Sequence, residues 1–224
     1  AKGEFLYFID SDDYIERKAL GKILAFMEKN ELDFCGFGSK RTPDRNLSGT
    51  PDWSPLEEQP EILTGLALIS KQGYSSGVWW YIFRKDILER NDISFEPGTL
   101  VEDGPFTTKL LIYAERTAVL PITLYYYYEN AQSISKTDDK ERRWQLIEGL
   151  FSAIKQFGHL MKLAKEKGAD AAALRKMQSH QESYVFILLV REVKHGMPFE
   201  TIKERLAILE RESLLPKRNR RFVR

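Results

Sequence analysis

Phe5-Leu6-Tyr7-Phe8-Ile9-Asp10-Ser11-Asp12-Asp13 is an unbroken apolar run that ends abruptly in three carboxylates. Such a run suits a strand buried on both faces, as in a parallel sheet. A helical period follows at once. Ile15, Ala19, Ile23 and Met27 fall on one face, with Leu20 and Leu24 beside them. Asp13 is placed to cap that helix. Leu32–Phe37 reads as the next strand. Strand, acidic turn, helix, strand is a βαβ unit, so the predicted fold class is α/β.

Outward from this unit the pattern stays mixed. Gly38–Pro60, with four prolines and many polar residues, reads as a long loop, a length that points to a functional segment. Glu61–Lys71 reads as helix, Val78–Phe83 as strand, Lys85–Arg90 as a helical turn and Pro105–Glu115 as helix. Thr117–Leu120 and Leu124–Tyr128 read as two strands separated by Pro121. After Asn130 the period is helical throughout, in three segments around Trp144 to Ala164, Leu174 to Val193 and Phe199 to Leu209. The expected division is a catalytic region over 1–136, a helical appendage over 137–215 and a basic tail over 216–224.

Composition excludes several classes. Lys+Arg is 34 and Asp+Glu 33, a net charge of +1, which argues against a globally basic nucleic-acid binder and against an acidic solvating chain. No nucleic-acid partner is expected. The single Cys35 excludes a disulfide framework and reads as a small buried hydrophobe. His159, His180 and His195 share no metal-ligand spacing; His195-Gly196 reads as a helix end. No apolar run approaches the length of a bilayer span, and no signal-peptide pattern opens the chain. A soluble protein of the cytoplasm is expected. The tail holds Lys217, Arg218, Arg220, Arg221 and Arg224 without an acid. A solvated terminus is its plainer reading; contact with an anionic membrane surface is the functional one.

The chemistry concentrates in two acidic motifs. Asp10 and Asp12 sit where ligands bind in open α/β sheets, beyond the carboxyl end of a strand. Clustered carboxylates repel one another unless a cation lies among them, and hard oxygen ligands suit magnesium or manganese. The bland alternative is an exposed acidic turn. Glu102-Asp103 follows some 90 residues on. Adjacent acids at a helix start are often mere dipole partners, whereas the functional reading is a general base above the metal site. Between the motifs, Trp79-Trp80 offers one ring to the core and one to a cleft, where aromatics pack on sugars. Tyr125–Tyr128 reads as core packing with buried hydroxyls that need partners.

Four segments, in order, resemble family 2 glycosyltransferases. Ala1 to Tyr14 is similar to the region of their Asp-x-Asp motif, Trp79 to Asp86 to their central strand and turn, and Val101-Glu102-Asp103 to their Glu-Asp motif. Leu124 to Asn130 with Ser133-Ile134-Ser135 resembles the closing segment, so that the likeness spans residues 1–136. The resemblance implies a partial GT-A (nucleotide-diphospho-sugar transferase) fold with a C-terminal helical appendage. It implies an inverting transfer from a nucleotide-sugar donor to a glycan or lipid-linked acceptor, as in cell-surface polysaccharide synthesis. Asp12 and Asp10 would hold Mn2+ or Mg2+, Asp10 also the donor, Asp103 would be the base, and Glu102 and Trp79 would bind substrate.

The sequence departs from the family in starting inside the fold, without the half-sheet that carries the nucleotide pocket. The expectation is therefore an inactive fragment, self-associating through an open sheet edge. Lys140 to Trp144 matches only part of the Gln-x-x-Arg-Trp motif of processive synthases and is taken as coincidence. Two rival readings remain: a haloacid-dehalogenase-type phosphatase, with Asp10 as nucleophile, and a non-catalytic interaction module.

Overall fold

The structure, a computed structural model, describes residues 2–49, 52–57, 61–129 and 139–216. Five strands form one mixed sheet: β1 (Phe5–Tyr7), β2 (Tyr14–Ile15), β3 (Phe34–Thr42), β4 (Tyr81–Arg84) and β5 (Thr117–Tyr128), in the order β1-β4-β3-β5-β2. β3 runs parallel to β5, whereas β4 is antiparallel to both β1 and β3. β1 and β3 thus point the same way, as a βαβ unit requires, but β4 is inserted between them.

Several expectations are corrected here. β1 is half-buried, not buried on both faces, and Phe8 and Ile9 beyond it are 37% and 44% exposed. Among the described residues β1 has β4 on one side and no neighbour on the other. The first helix, α1 (Ala19–Lys29), starts later than predicted, after Lys18 in the left-handed region at φ 59°. Tyr14 and Ile15 are instead drawn into β2 against Tyr126 and Tyr125. β3 extends to Thr42, into the stretch read as loop, and a short helix, α2 (Ser54–Glu57), follows. β5 is one strand running through Pro121. Its register with β3 shifts between Gly36 and Gly38, so that Val119 and Thr123 bracket a bulge. A proline lacks the ladder N–H and is tolerated at such a bulge.

The remaining elements are α3 (Gly65–Gln72), a 3-10 turn over Val78–Trp80, α4 (Lys85–Arg90), α5 (Asp103–Tyr113), α6 (Lys140–Glu166), α7 (Ala171–Lys194) and α8 (Phe199–Arg211). Thr64, Asp139 and Asp170 cap α3, α6 and α7 by accepting from backbone N–H groups. The two faces of the sheet are covered separately, as strand alternation demands. Cys35 and Ile82 pack with Ile23 and Met27 of α1, whereas Phe34 and Phe83 pack with Leu68 of α3 and Leu110 of α5. Burial pushes the Cys35 thiol up to about 12, that of an inert core residue.

The second core also contains Leu160 and Ala164 of α6 and Ala173 and Met177 of α7. The segment expected as an appendage therefore shares a core with the α/β region. Asp170 accepts a 2.6 Å bond from Ser70, and His180 lies 3.1 Å from both the Tyr74 carbonyl and Ser76 Oγ. His195 caps the end of α7 and is followed by Gly196 at φ 68°, as predicted. The expected boundary at 130–138 and the basic tail from 217 lie outside the described residues. No helix among the described residues is long and apolar enough to cross a membrane.

Candidate active site

Asp10-Ser11-Asp12-Asp13 closes a turn in which the Asp13 N–H donates to the Asp10 carbonyl at 3.1 Å. Asp13 does not cap α1. One of its oxygens accepts from the Tyr125 hydroxyl and the other from the Tyr128 N–H at 2.8 Å. The same Tyr125 hydroxyl accepts from the Asp10 N–H at 3.3 Å. Asp13 and Tyr125 thus clamp the turn onto β5 and leave Asp10 and Asp12 to face outward. Tyr125→Phe is expected to cost about 1–3 kcal/mol, because one Asp13 oxygen loses its donor while the other keeps the Tyr128 N–H. Tyr127→Phe, by contrast, should stay within about 0.5 kcal/mol. Thermal unfolding of the two variants tests this, and equal losses would contradict the clamp.

Burial first, then the charges of Asp13 and Asp12, holds the Asp10 carboxyl above its ordinary range. Neither Asp10 nor Asp12 spends its carboxylate on a hydrogen bond within the described residues. No cluster of three or more metal-binding groups is present among the described residues. Two free carboxylates fit an ion that keeps waters and completes its shell with substrate phosphate, as magnesium and manganese do.

Asp103 opens α5, directly after Glu102. The peptide before it is held in an unusual conformation: Val101 has φ 74°, costly for a β-branched residue, and its side chain packs with the cluster between α6 and α7. Burial, then the charges of Glu102 and Asp10, pushes Asp103 up to about 6, against a hydrogen bond from the Val78 N–H. A carboxylate tuned to about 6 is ionised at neutral pH yet basic enough to take a proton.

The two motifs meet. Asp10, Glu102 and Asp103 line one cleft of about 580 Å³, with Ser76 and Gly77. The helices line it as well, with Arg142, Arg143 and Leu146 of α6 and Tyr184 and Arg191 of α7. Asp12 does not line it. A larger cavity of about 980 Å³ lies between the 94–99 loop and α6, contains Trp144, and shares Glu102 with the cleft.

Trp79, expected to bind substrate, lies elsewhere. It belongs to a 3-10 turn, not a strand, and it lines neither cavity. Its ring stacks on Trp80 and on Tyr125, each with centroids 4.6 Å apart. Two aromatic neighbours thus pack on a ring that stays half-buried.

Two features went unread in the sequence. Glu16 is buried and accepts from the Tyr126 hydroxyl, Ser48 Oγ and the N–H groups of Arg17 and Gly49. Burial acts to raise its carboxyl, but these bonds together hold it below its ordinary value. Glu16 and Tyr126 thereby fasten the 48–49 loop to the sheet. The signal was the run of four tyrosines, whose buried hydroxyls demand acceptors. The second is the helical arginine wall: Arg142 and Arg143 lie in the Lys140–Trp144 stretch taken as coincidence, and Arg191 carried no local cue.

The Glycosyl transferase family 2 model matches residues 1–90. Over these residues, 90 of the chain's 224, the sequence is similar to that family. Among curated relatives, the uncharacterized glycosyltransferase EpsJ of Bacillus subtilis (strain 168) is 29% identical over 140 residues, covering 61% of this chain and 41% of EpsJ. TarS of Staphylococcus aureus (strain MW2), a poly(ribitol-phosphate) beta-N-acetylglucosaminyltransferase, is 34% identical over 128 residues, covering 57% of this chain and 21% of TarS. The chain thus spans less than half the length of either relative. The crystal structure of S. aureus TarS 1-349 with UDP-GlcNAc superposes with a TM-score of 0.56 at 23% identity, over 96% of this chain and 59% of that one. The fold is accordingly the GT-A type, in part, with a helical C-terminal region.

Proposed function

We propose that the protein transfers a sugar from a nucleotide-sugar donor to a glycan, lipid-linked glycan or polyol-phosphate acceptor, with inversion, in the synthesis of a cell-surface polymer. The observation that carries this reading is the cleft in which Asp103, held at about 6, faces Asp10 of the Asp-x-Asp turn. The relatives support it: they are named as glycosyltransferases, and the TarS structure contains a uridine-linked sugar. A uridine-linked donor is the first choice.

In this scheme Asp103 accepts the proton of the acceptor hydroxyl. The acceptor oxygen bonds to the anomeric carbon from the face opposite the leaving group. The bond from that carbon to the diphosphate oxygen breaks, and the nucleoside diphosphate departs with the electron pair. Asp10 and Asp12 would hold manganese or magnesium, which supplies neutralisation of charge growing on the diphosphate. Glu102 stands between the two cavities and guides the acceptor, whose remainder extends into the larger cavity beside Trp144.

The test is Asp12→Ala in the intact protein. Manganese-dependent transfer should fall by on the order of 10²–10³, the loss typical of removing one group that stabilises developing charge. Near-normal metal-dependent turnover would sink the assignment.

A further inference from the structure

The cleft carries a feature that the transfer chemistry does not use. Three acids, Asp10, Glu102 and Asp103, and three arginines, Arg142, Arg143 and Arg191, line it together. Resting on the transferase reading above, we propose that the arginine wall is a subsite for a phosphate group of the acceptor, so that the protein elongates or decorates an anionic, phosphate-bearing polymer.

The arginines do not serve simply to neutralise the acids. No ion pair joins Arg142 or Arg191 to Asp10, Glu102 or Asp103 among the described residues. No arginine is among the groups that act on the Asp103 proton; the charges felt there are those of Glu102 and Asp10. Arg143 also interacts within the fold, so Arg142 and Arg191 carry the proposal.

Their placement is built into the helix pair. Tyr184 and Arg191 are seven apart and share one face of α7, while Arg142 and Leu146 are four apart on α6. Antiparallel packing brings the first turns of α6 beside the last turns of α7. Planar guanidinium groups suit phosphate oxygens, which they bind in pairs.

The arginines share the cleft with the base Asp103 and also with Asp10, so an acceptor phosphate is the occupant proposed and the donor diphosphate is the alternative that the test separates. Asp103 must touch the acceptor hydroxyl, and it lines this cleft. Asp10 lines it as well, whereas Asp12 does not. A hydroxyl for the carboxylates and a phosphate for the guanidinium groups is the charge pattern of a polyol-phosphate repeat.

The test is binding to the intact protein, measured by calorimetry with three probes: tri(glycerol phosphate), the neutral trisaccharide maltotriose, and uridine diphosphate with manganese. Wild type should prefer the charged oligomer to maltotriose, and sodium chloride should weaken that preference. Arg142→Gln with Arg191→Gln should weaken the charged oligomer at least tenfold and leave uridine diphosphate within twofold. Arg142→Lys with Arg191→Lys, which keeps both charges, should retain most of the affinity and controls for misfolding. Equal binding of charged and neutral oligomers by wild type would overturn the proposal. A loss confined to uridine diphosphate would assign the arginines to the donor and overturn it equally, as would a Gln variant that binds like wild type. The Asp12→Ala result tests the transferase reading separately: it can fail while the preference for the charged oligomer stands, and the reverse.

Discussion

Asp103→Asn is expected to lower kcat by ~10²–10⁴, the usual contribution of a general base. The amide keeps the size of the carboxylate and still accepts the Val78 N–H, but it cannot take the acceptor proton. Donor affinity should change little. The pH profile adds a second readout. The base must be ionised, so wild-type activity should fall as pH drops below about 6, and this limb should vanish in the variant. Stability should move the other way. A carboxyl raised in the folded state favours folding below its unfolded value of 3.8, and that contribution is lost as pH rises through about 6. Asparagine carries no such cost, so the variant should melt higher than wild type at neutral pH, with the gap closing in acid. Collapse of donor binding with kcat retained would make Asp103 a structural residue and pass the role to Glu102.

Gly149→Ala should be the most damaging single methyl group in the helical region. A Cβ at Gly149 would lie inside van der Waals contact of the Leu100 carbonyl oxygen, and backbone cannot swing aside as a side chain can. Leu100 is two residues before Glu102 and lines the cleft. α6 must therefore lift away from the loop that presents Glu102 and Asp103. Overpacking of this kind costs about 1–3 kcal/mol, occasionally more. A displacement on the order of 1 Å at a catalytic group can cost about 10²-fold in rate, so kcat should fall with stability. Gly21→Ala on α1 meets nothing within 4 Å and should be neutral or stabilising by about 0.5–1 kcal/mol. Thermal unfolding and turnover of the pair decide it: if Gly149→Ala behaves like Gly21→Ala, the helices do not press on the active-site loop.

What the sequence determined by itself was whatever a short window encodes. The apolar run before Asp10-Ser11-Asp12-Asp13, the periods of α1, α6, α7 and α8, and the acid pair at the start of α5 are all local patterns, and they placed the α/β class and the two motifs. Tertiary structure alone decided how they meet. Asp13 looked like a cap because a cap is the local use for an aspartate there. Its partners, Tyr125 and Tyr128, lie more than 110 residues away, and they pulled Tyr14 and Ile15 from helix into strand. β4 inserted itself between two strands that the chain order left adjacent. Trp79 stacks on Tyr125 and Trp80, away from the cleft of Asp103. The same holds for the arginine wall: helical periodicity fixes which face of α6 and α7 each arginine occupies, but only the packing of those helices on α5 and the Leu100 loop turns that face toward Asp103. Side-chain hydrogen bonds, ring stacking and helix packing depend on distance in space, and a sequence window carries no distance beyond its own length.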